Sequence, residues 1–255
     1  IISASTGAFI VALLITPFIG FFAKKIGAVD LAANLRSRTD RTNKTRLHKG
    51  VIPRLGGLAV LLSFIIGLQF TEVSGYLSLG IWVGLALIAI FSFLDDWLEI
   101  DGKVMLLGQV LAAFAVIFGG DSIREVTFLA YEIDFVAFTQ NFTTPELFGF
   151  GPYLYEFAFP ADLITIFWLI FIINAVNWIG GVDGLNVSFS SLVAGTLMLI
   201  VIGQDNPDIM LATIIGVYIG SLLGFLPYNY NPAKIFPGMG DFLNGYMLGI
   251  FAILG

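Results

Sequence analysis

Residues 73–96 read VSGYLSLGIWVGLALIAIFSFLDD, an uncharged run that ends in Asp95 and Asp96. A bilayer core about 30 Å thick is crossed by roughly 20 apolar residues in an α-helix, because a helix rises by about 1.5 Å per residue. Residues 73–94 have that length. They predict a helix that crosses a membrane and delivers the two aspartates to one of its surfaces.

The composition of the whole chain is that of a membrane protein. Its 255 residues are 58% hydrophobic and 12% charged, and the mean hydropathy is +0.94. Soluble proteins carry about 25% charged residues, so the composition excludes an ordinary soluble, disordered or collagen-like protein. The chain has no cysteine, which also excludes disulfides, thiolate zinc sites and thiol catalysis.

Seven further uncharged runs approach the length of a membrane span. They predict an all-α, polytopic membrane helical bundle with eight visible spans. Pro227 predicts that the seventh span ends near Phe225. We expect a single integral membrane domain over residues 1–255 that is truncated at both termini, because the chain starts at Ile1 and its last apolar run stops at Gly255. The predicted spans are residues 1–23, 55–71, 73–94, 104–120, 163–182, 184–204, 209–233 and 242–255.

Nine of the twelve Lys and Arg residues lie in one loop, residues 24–54. Such residues are retained on the cytoplasmic side of a membrane, so this loop is predicted to be cytoplasmic. Alternation of the spans then places three polar connections, at residues 94–103, 180–184 and 227–241, on the same face. Residues 121–162 fall on the outer face, where alternating apolar residues predict a small external β-hairpin.

Carboxylates from these three connections are predicted to lie on the cytoplasmic face. Asp95 and Asp96 end a helix, where the macrodipole disfavours negative charge and the two groups repel each other. The pair therefore favours a cation, and Mg²⁺ is a hard cation that oxygen ligands select and that bridges phosphates. Asp183 and Asp241, from the other two connections, are candidates for the same site. The alternative is that such acids are simply solvated at the ends of spans.

Residues 174–186, NAVNWIGGVDGLN, close the fifth span and open the sixth. Asn174 and Asn177 share one helix face, and amides near the end of an apolar span need a hydrogen-bonding partner. The glycines around Asp183 leave the backbone free to approach a phosphate closely. The alternative is a tight turn between helices in which Asp183 or Asn186 is the N-cap.

Two further stretches combine a helix start with positive charge. Residues 231–241, NPAKIFPGMGD, end in Asp241 where an N-cap is expected, and a helix N-terminus also favours phosphate. Residues 46–57, RLHKGVIPRLGG, contain His48, the only histidine. A lone histidine in a basic loop is more often solvated than a general base. The basic residues of this loop favour contact with the phosphate of a substrate or of anionic lipids.

Taken in order, these stretches resemble the polyprenyl-phosphate N-acetylhexosamine-1-phosphate transferases, also called glycosyl transferase family 4. This membrane superfamily includes the phospho-N-acetylmuramoyl-pentapeptide transferase of peptidoglycan synthesis, the bacterial undecaprenyl-phosphate GlcNAc-1-phosphate transferases and the dolichyl-phosphate enzyme of N-glycosylation. The matching pieces are residues 46–57, the pair Asp95-Asp96 followed by Gly108-Gln109, residues 174–185 and residues 231–241.

The resemblance implies a bundle of about ten spans that transfers a HexNAc 1-phosphate, with GlcNAc favoured, from a UDP-HexNAc donor to a polyprenyl phosphate, and releases UMP. The cofactor would be Mg²⁺, with Mn²⁺ as a substitute. The reaction would be the first membrane step of cell-envelope polysaccharide or glycan assembly. It would take place in the lipid bilayer of a bacterial or archaeal cytoplasmic membrane, with the active site facing the cytoplasm. The resemblance implies no nucleic acid partner and allows a homodimer.

By position, the resemblance implies three groups of site residues. The catalytic residues would be Asp95 and Asp96. The metal ligands would be Asp96, Asp241 and Asn177. The substrate-binding residues would be Asn174, Asp183, Lys103, His48 and Arg54.

Three other functions stay open. A phospho-N-acetylmuramoyl-pentapeptide transferase belongs to the same superfamily, although residues 231–238 and Gly180, which stands where most bacterial members have Asp, favour GlcNAc-1-phosphate transfer. An inactive relative that binds lipid or UDP-sugar is favoured by Met105 and Met239, which stand where the family pattern has Lys and Asp. A transporter predicts charges near the bilayer midplane and an internal repeat, and the sequence has neither.

Overall fold

The structure, a computed structural model, describes residues 1–31, 50–73, 75–128, 131–143 and 154–255. Within these ranges the chain folds into eight α-helices and six short β-strands. The helices correspond one for one to the eight predicted spans, so the prediction of an all-α membrane helical bundle is confirmed. They are α1 (Ile2–Ile26), α2 (Gly56–Leu68), α3 (Leu79–Leu98), α4 (Gly102–Phe118), α5 (Ala161–Ile179), α6 (Leu185–Ile202), α7 (Ile209–Asn229) and α8 (Gly240–Leu254).

The helices differ in length. In the described part of the chain, α1, α3, α5, α6 and α7 are long and apolar enough to cross a membrane. Helices α2, α4 and α8 are also apolar but are only 13, 17 and 15 residues long. At about 1.5 Å per residue, α2 spans roughly 20 Å, which is less than the thickness of a bilayer core. It packs against α1 and α7, which are long enough to cover it.

The last turn of α7 differs from the prediction. The helix continues through Pro227 and ends at Asn229, so the expectation that it ends near Phe225 is wrong. A proline lacks a backbone N–H and so removes one intrahelical hydrogen bond. The backbone N–H of Tyr230 still donates to the Leu226 carbonyl (2.8 Å), which closes the final turn beyond the proline.

Successive helices alternate in direction, so the chain passes back and forth between two ends of the bundle. At one end, called the polar end below, α1, α3, α5 and α7 finish and α2, α4, α6 and α8 start. Helix α7 contacts α1, α2, α6 and α8. Most side chains of α7 and α8 are buried, so these two helices form the centre of the core. The connections at the polar end are therefore held by a packed apolar scaffold.

Six short strands in the described part of the chain form three antiparallel pairs, β1–β2, β3–β4 and β5–β6. They are β1 (Val29–Leu31), β2 (Val51–Pro53), β3 (Glu125–Phe128), β4 (Tyr131–Asp134), β5 (Val136–Thr143) and β6 (Leu154–Pro160). The β1–β2 pair lies at the polar end and sets Arg54 directly after β2. The other two pairs lie at the opposite end, where the sequence predicted a single external hairpin. The β1–β2 pair has no counterpart in the prediction.

Buried polar side chains join four of the helices. The Tyr218 hydroxyl of α7 donates to Asn244 Oδ1 of α8 (2.6 Å). Asn244 Nδ2 donates to Asn186 Oδ1 of α6 (2.8 Å), and Asn186 Nδ2 donates to the Val176 carbonyl of α5 (2.8 Å). Polar groups in an apolar bundle need such partners, because lipid offers none. These hydrogen bonds therefore fix the rotation of α5 and α8, which both carry residues of the polar end.

Helices α1 and α7 approach each other closely. A Cβ atom on Gly220 would overlap the carbonyl oxygen of Ser5, and one on Gly224 would overlap that of Phe9. Small residues at such positions let two membrane helices pack backbone to backbone. Since α7 is central, this contact supports the whole bundle.

We expect Gly220→Ala to lower the midpoint temperature of unfolding in detergent, because the added methyl group has no room beside Ser5 and overpacking costs about 1–3 kcal/mol. The matched control is Gly195→Ala in α6, where a Cβ meets no atom within 4 Å. Alanine is the better helix former, so the control should be neutral or slightly stabilising. Equal midpoint temperatures for the two variants would contradict the close packing of α1 on α7.

Candidate functional site

A polar pocket of about 170 Å³ lies at the polar end of the bundle. It forms where the residue after β2, the C-terminal parts of α3 and α5, and the first turn of α8 come together. Five of the predicted site residues line it, so carboxylates from α3 and α8 lie on the same face of the bundle, as the sequence predicts. The lining residues are Arg54, Ser92, Asp95, Asp96, Asn177, Gly238, Met239, Asp241 and Phe242.

Asp96 is held by two donors from distant parts of the chain. The residue is only 6% exposed. Its Oδ1 lies 3.1 Å from Nη2 of Arg54, and its Oδ2 accepts the backbone N–H of Met239 (2.5 Å). Met239 is the N-cap of α8. The carboxylate near the end of α3 therefore lies at the N-terminus of α8, whose macrodipole favours the negative charge that the dipole of α3 disfavours.

The segment between α7 and α8 packs directly on the last residue of β2 and on Arg54, which follows it. The backbone N–H of Phe236 donates to the Pro53 carbonyl (2.8 Å). Gly238 has a φ of +54°, a left-handed conformation that favours glycine. A Cβ on Gly238 would overlap the Arg54 carbonyl and Asp96 Oδ2. Glycine is therefore required at this position for the segment to lie against both residues.

Asp241 has an unpaired oxygen in the pocket. Helix α8 begins at Gly240, so Asp241 lies in its first turn and the expectation that it is the N-cap is wrong. Its Oδ1 is buried and has no hydrogen-bond partner among the described residues. A Cβ on Gly180 would overlap Asp241 Oδ2, so the glycine that follows α5 leaves room for this carboxylate. Buried oxygens without a partner are rare in folded proteins and call for an explanation such as a bound ion.

Two predicted substrate-binding residues have partners within the protein and do not line the pocket. Asn174 Nδ2 donates to Gln109 Oε1 (2.7 Å), which joins α5 to α4. Asp183 Oδ2 accepts the backbone N–H of Ala233 (2.9 Å) and a hydrogen bond from Asn231 Nδ2 (3.1 Å), which joins the α5–α6 connection to the α7–α8 connection. Contact of either residue with a substrate stays a prediction.

Among the other predicted substrate-binding residues, Arg54 lines the pocket and Lys103 does not. Lys103 is exposed in the first turn of α4, where its backbone N–H donates to Asp101 Oδ1 (2.7 Å). Met105, which stands where the family pattern has Lys, is buried. His48 lies outside the described residues.

The carboxylate and amide oxygens of the pocket fit a magnesium ion whose remaining ligands come from a phosphate. In the described part of the chain, no group of three or more His, Cys, Asp or Glu side chains could hold a metal ion by itself. Mg²⁺ is commonly bound by one or two carboxylates together with waters and substrate phosphates. Asp241 offers an unpaired buried oxygen, and the other two predicted ligands, Asp96 and Asn177, line the same pocket. These oxygen ligands thus fit a metal site that a bound substrate completes.

Four residues of the pocket lining were not predicted as site residues, and two of them, Ser92 and Met239, contribute a polar group to it. Ser92 precedes Asp96 by four residues in α3, and this spacing places both side chains on one helix face. The spacing is a signal that could have identified Ser92. The donor from Met239 is a backbone N–H, which every residue except proline carries, so no residue type could have indicated it.

Comparisons with known proteins give consistent similarities. The family model described as glycosyl transferase family 4 matches residues 78–255. The chain is 32% identical to the probable undecaprenyl-phosphate N-acetylglucosaminyl 1-phosphate transferase of Bacillus subtilis (strain 168), with 97% of this chain and 62% of the relative covered. It is 30% identical to the phospho-N-acetylmuramoyl-pentapeptide-transferase of Listeria monocytogenes serotype 4b (strain CLIP80459), with 93% and 69% covered. The protein of the same name from Streptococcus sanguinis (strain SK36) is 35% identical, with 82% and 62% covered. The chain therefore spans between 62% and 69% of the length of these relatives.

We expect Arg54→Met to lower the free energy of unfolding by about 3 kcal/mol, because it leaves Asp96 buried without its counter-charge. Asp96→Asn in the same chain should recover part of that loss, since an amide needs no cation. The measurement is a double-mutant cycle by denaturant-induced unfolding in detergent.

The matched control for this cycle is Arg124→Met. Arg124 pairs with Glu156 at 3.8 Å, and both side chains are more than 40% exposed. Loss of this ion pair should therefore lower the free energy of unfolding by less than about 1 kcal/mol. Strictly additive effects of the Arg54 and Asp96 substitutions would contradict a direct interaction between the two side chains.

Proposed function

The chain belongs to glycosyl transferase family 4, and on that basis we propose that it transfers a HexNAc 1-phosphate, specifically GlcNAc 1-phosphate, from a UDP-sugar to a polyprenyl phosphate with release of UMP. This reaction is the first membrane step of cell-envelope polysaccharide or glycan assembly. The observation that carries the proposal is the pocket itself, an acidic cluster with Arg54 at the polar end of an apolar bundle. A water-soluble nucleotide sugar and a lipid headgroup can meet only at such a surface.

The chemistry is a displacement at phosphorus. An oxygen of the lipid phosphate forms a bond to the β-phosphorus of the UDP-sugar, the bond from that phosphorus to the bridging oxygen breaks, and UMP leaves with this oxygen. Phosphoryl transfer depends mainly on positioning and on neutralisation of charge. A phosphate monoester has a second pKa of about 6, so the acceptor is mostly ionised at neutral pH. Asp95 therefore orients the acceptor and takes its remaining proton where one is present.

The other lining residues neutralise or hold the phosphates. We assign metal binding to Asp241, Asn177 and Asp96, and a bound Mg²⁺ or Mn²⁺ would supply positive charge to the diphosphate. The unpaired Oδ1 of Asp241 supports its place in this set. Asp96 has a second role, because its ion pair holds Arg54 at the pocket wall. A guanidinium in a fixed position can bind phosphate through two donors.

We propose that the polar end faces the cytoplasm of a bacterial or archaeal cell. Lys24 and Lys25 lie in the last turn of α1 at this end, Lys103 lies in the first turn of α4, and Lys234 lies in the α7–α8 connection. The sequence of residues 32–49 adds six further Lys and Arg residues to the same connection. Retention of positive residues on the cytoplasmic side then orients the bundle. A homodimer stays a prediction.

The comparisons also support an alternative sugar donor. The relatives from Listeria monocytogenes and Streptococcus sanguinis bear the name of phospho-N-acetylmuramoyl-pentapeptide transferases, so UDP-MurNAc-pentapeptide is the alternative sugar donor. An inactive relative that binds lipid or UDP-sugar is a third candidate, since Met105 and Met239 differ from the family pattern. Turnover with each donor separates the three.

We expect the protein, expressed at its natural full length, to release UMP from UDP-GlcNAc in detergent when polyprenyl phosphate and Mg²⁺ are present. Asp241→Asn should lower kcat by about 100-fold, because it removes the charge of the oxygen assigned to the metal. The measurements are UMP formation and mass spectrometry of the lipid product.

The matched control for turnover is Asp205→Asn, because Asp205 is exposed in the α6–α7 connection at the opposite end of the bundle. Full activity of Asp241→Asn would remove Asp241 from the proposed metal site. Faster turnover of UDP-MurNAc-pentapeptide than of UDP-GlcNAc would select the alternative donor. Binding of UDP-GlcNAc without turnover of either donor would identify an inactive relative.

A further inference from the structure

Ser92 carries a buried hydroxyl that nothing in the described part of the protein satisfies. The residue lies on α3, is 1% exposed and lines the polar pocket. Its Oγ has no hydrogen-bond partner among the described residues. A serine inside a helix can always reach back to the carbonyl three or four residues earlier, so an unused hydroxyl at this position is unexpected.

The other buried hydroxyls of the described serines and threonines behave differently. Each of them donates to a carbonyl or amide oxygen within its own helix. Of the six buried serines and threonines in the described part of the chain, Ser92 is the one whose hydroxyl makes no such bond. The five bonds run from Thr16 to Ala12 (2.6 Å), Ser63 to Val60 (2.9 Å), Thr165 to Ala161 (2.9 Å), Ser190 to Asn186 (3.4 Å) and Ser221 to Val217 (3.1 Å).

The surroundings of Ser92 indicate which ligand would satisfy it. Among the described residues that line the pocket there are three carboxylates and one guanidinium, that of Arg54, so this lining favours a cation over an anion. The second buried oxygen without a partner in the pocket is Asp241 Oδ1. Two orphaned oxygens beside an excess of negative charge fit a hydrated divalent cation, because its bound waters donate strongly to oxygen acceptors.

We propose that the Ser92 hydroxyl accepts a hydrogen bond from a water bound to the divalent cation and so holds the hydrated ion beside Asp241. Ser92 is then a positioning residue. It acts through a metal-bound water and has no contact with the transferred phosphorus. This inference rests on the metal role proposed for Asp241. Outer partners of metal ligands commonly change metal affinity by about 10-fold or more when they are removed.

The test measures Mn²⁺ binding by electron paramagnetic resonance to the protein in detergent with UDP-GlcNAc present, so that a diphosphate completes the site, and without polyprenyl phosphate, so that no turnover occurs. We expect Ser92→Ala to weaken Mn²⁺ binding by about 10-fold. Ser92→Thr, which keeps the hydroxyl, should restore most of the affinity. The matched control is Ser63→Ala in α2, a change of the same size at a buried hydroxyl bonded within its helix and absent from the pocket lining. It should leave Mn²⁺ affinity unchanged.

A second readout is the unfolding temperature of the metal-free protein. Ser63→Ala loses an internal hydrogen bond and should lower that temperature, whereas Ser92→Ala loses none and should leave it unchanged or raise it. Equal destabilisation by the two substitutions would show that the Ser92 hydroxyl is bonded within the protein, and this would overturn the proposal.

Asp241→Asn separates failure of this inference from failure of the proposed function. Weak Mn²⁺ binding in Asp241→Asn together with wild-type binding in Ser92→Ala would overturn the role of Ser92 alone. Unchanged Mn²⁺ binding in Asp241→Asn would overturn both the metal role of Asp241 and the role of Ser92. Weaker Mn²⁺ binding in both variants, with most of the affinity restored in Ser92→Thr, is the expected result.

Discussion

Asp96 is a carboxylate near the end of an apolar helix, and the protein stabilises it there by supplying a donor to each of its oxygens. The donors are Arg54, which follows β2, and the backbone at the start of α8. Because these partners are distant in sequence, the interaction sets the positions of α3, α8 and the β2–α2 junction relative to one another. An unpaired charge in such a place would be costly. Most residues that line the pocket are carried by elements that meet at Asp96.

The helices were predictable because a membrane span has a minimum apolar length that few other segments reach. Their ends were less predictable, since they depend on local hydrogen bonds and tertiary contacts. Proline usually ends a helix, but Pro227 lies in the last turn of α7, where the chain loses only one hydrogen bond. Asp241 was expected to be the N-cap of α8, but the N-cap is Met239, two residues earlier, and its backbone N–H donates to Asp96.

The residue types of the candidate site were predictable, but their partners were not. Five predicted residues line one pocket because the alternation of spans brings their connections to the same face. The sequence does not reveal that Arg54 pairs with Asp96 or that Asn174 bonds to Gln109, because both contacts depend on how elements distant in sequence pack together. Ser92 was missed for a different reason. A serine in an apolar helix normally bonds to its own backbone, so nothing in its residue type suggests a ligand.

The donor that Met239 provides to Asp96 belongs to the main chain. Every amino acid except proline carries the same N–H, so replacement of this side chain deletes no hydrogen bond. The methionine side chain is 2% exposed and has only to fill its place in the interior. Substitution of Met239 by another residue that fills the same space is therefore compatible with an intact pocket.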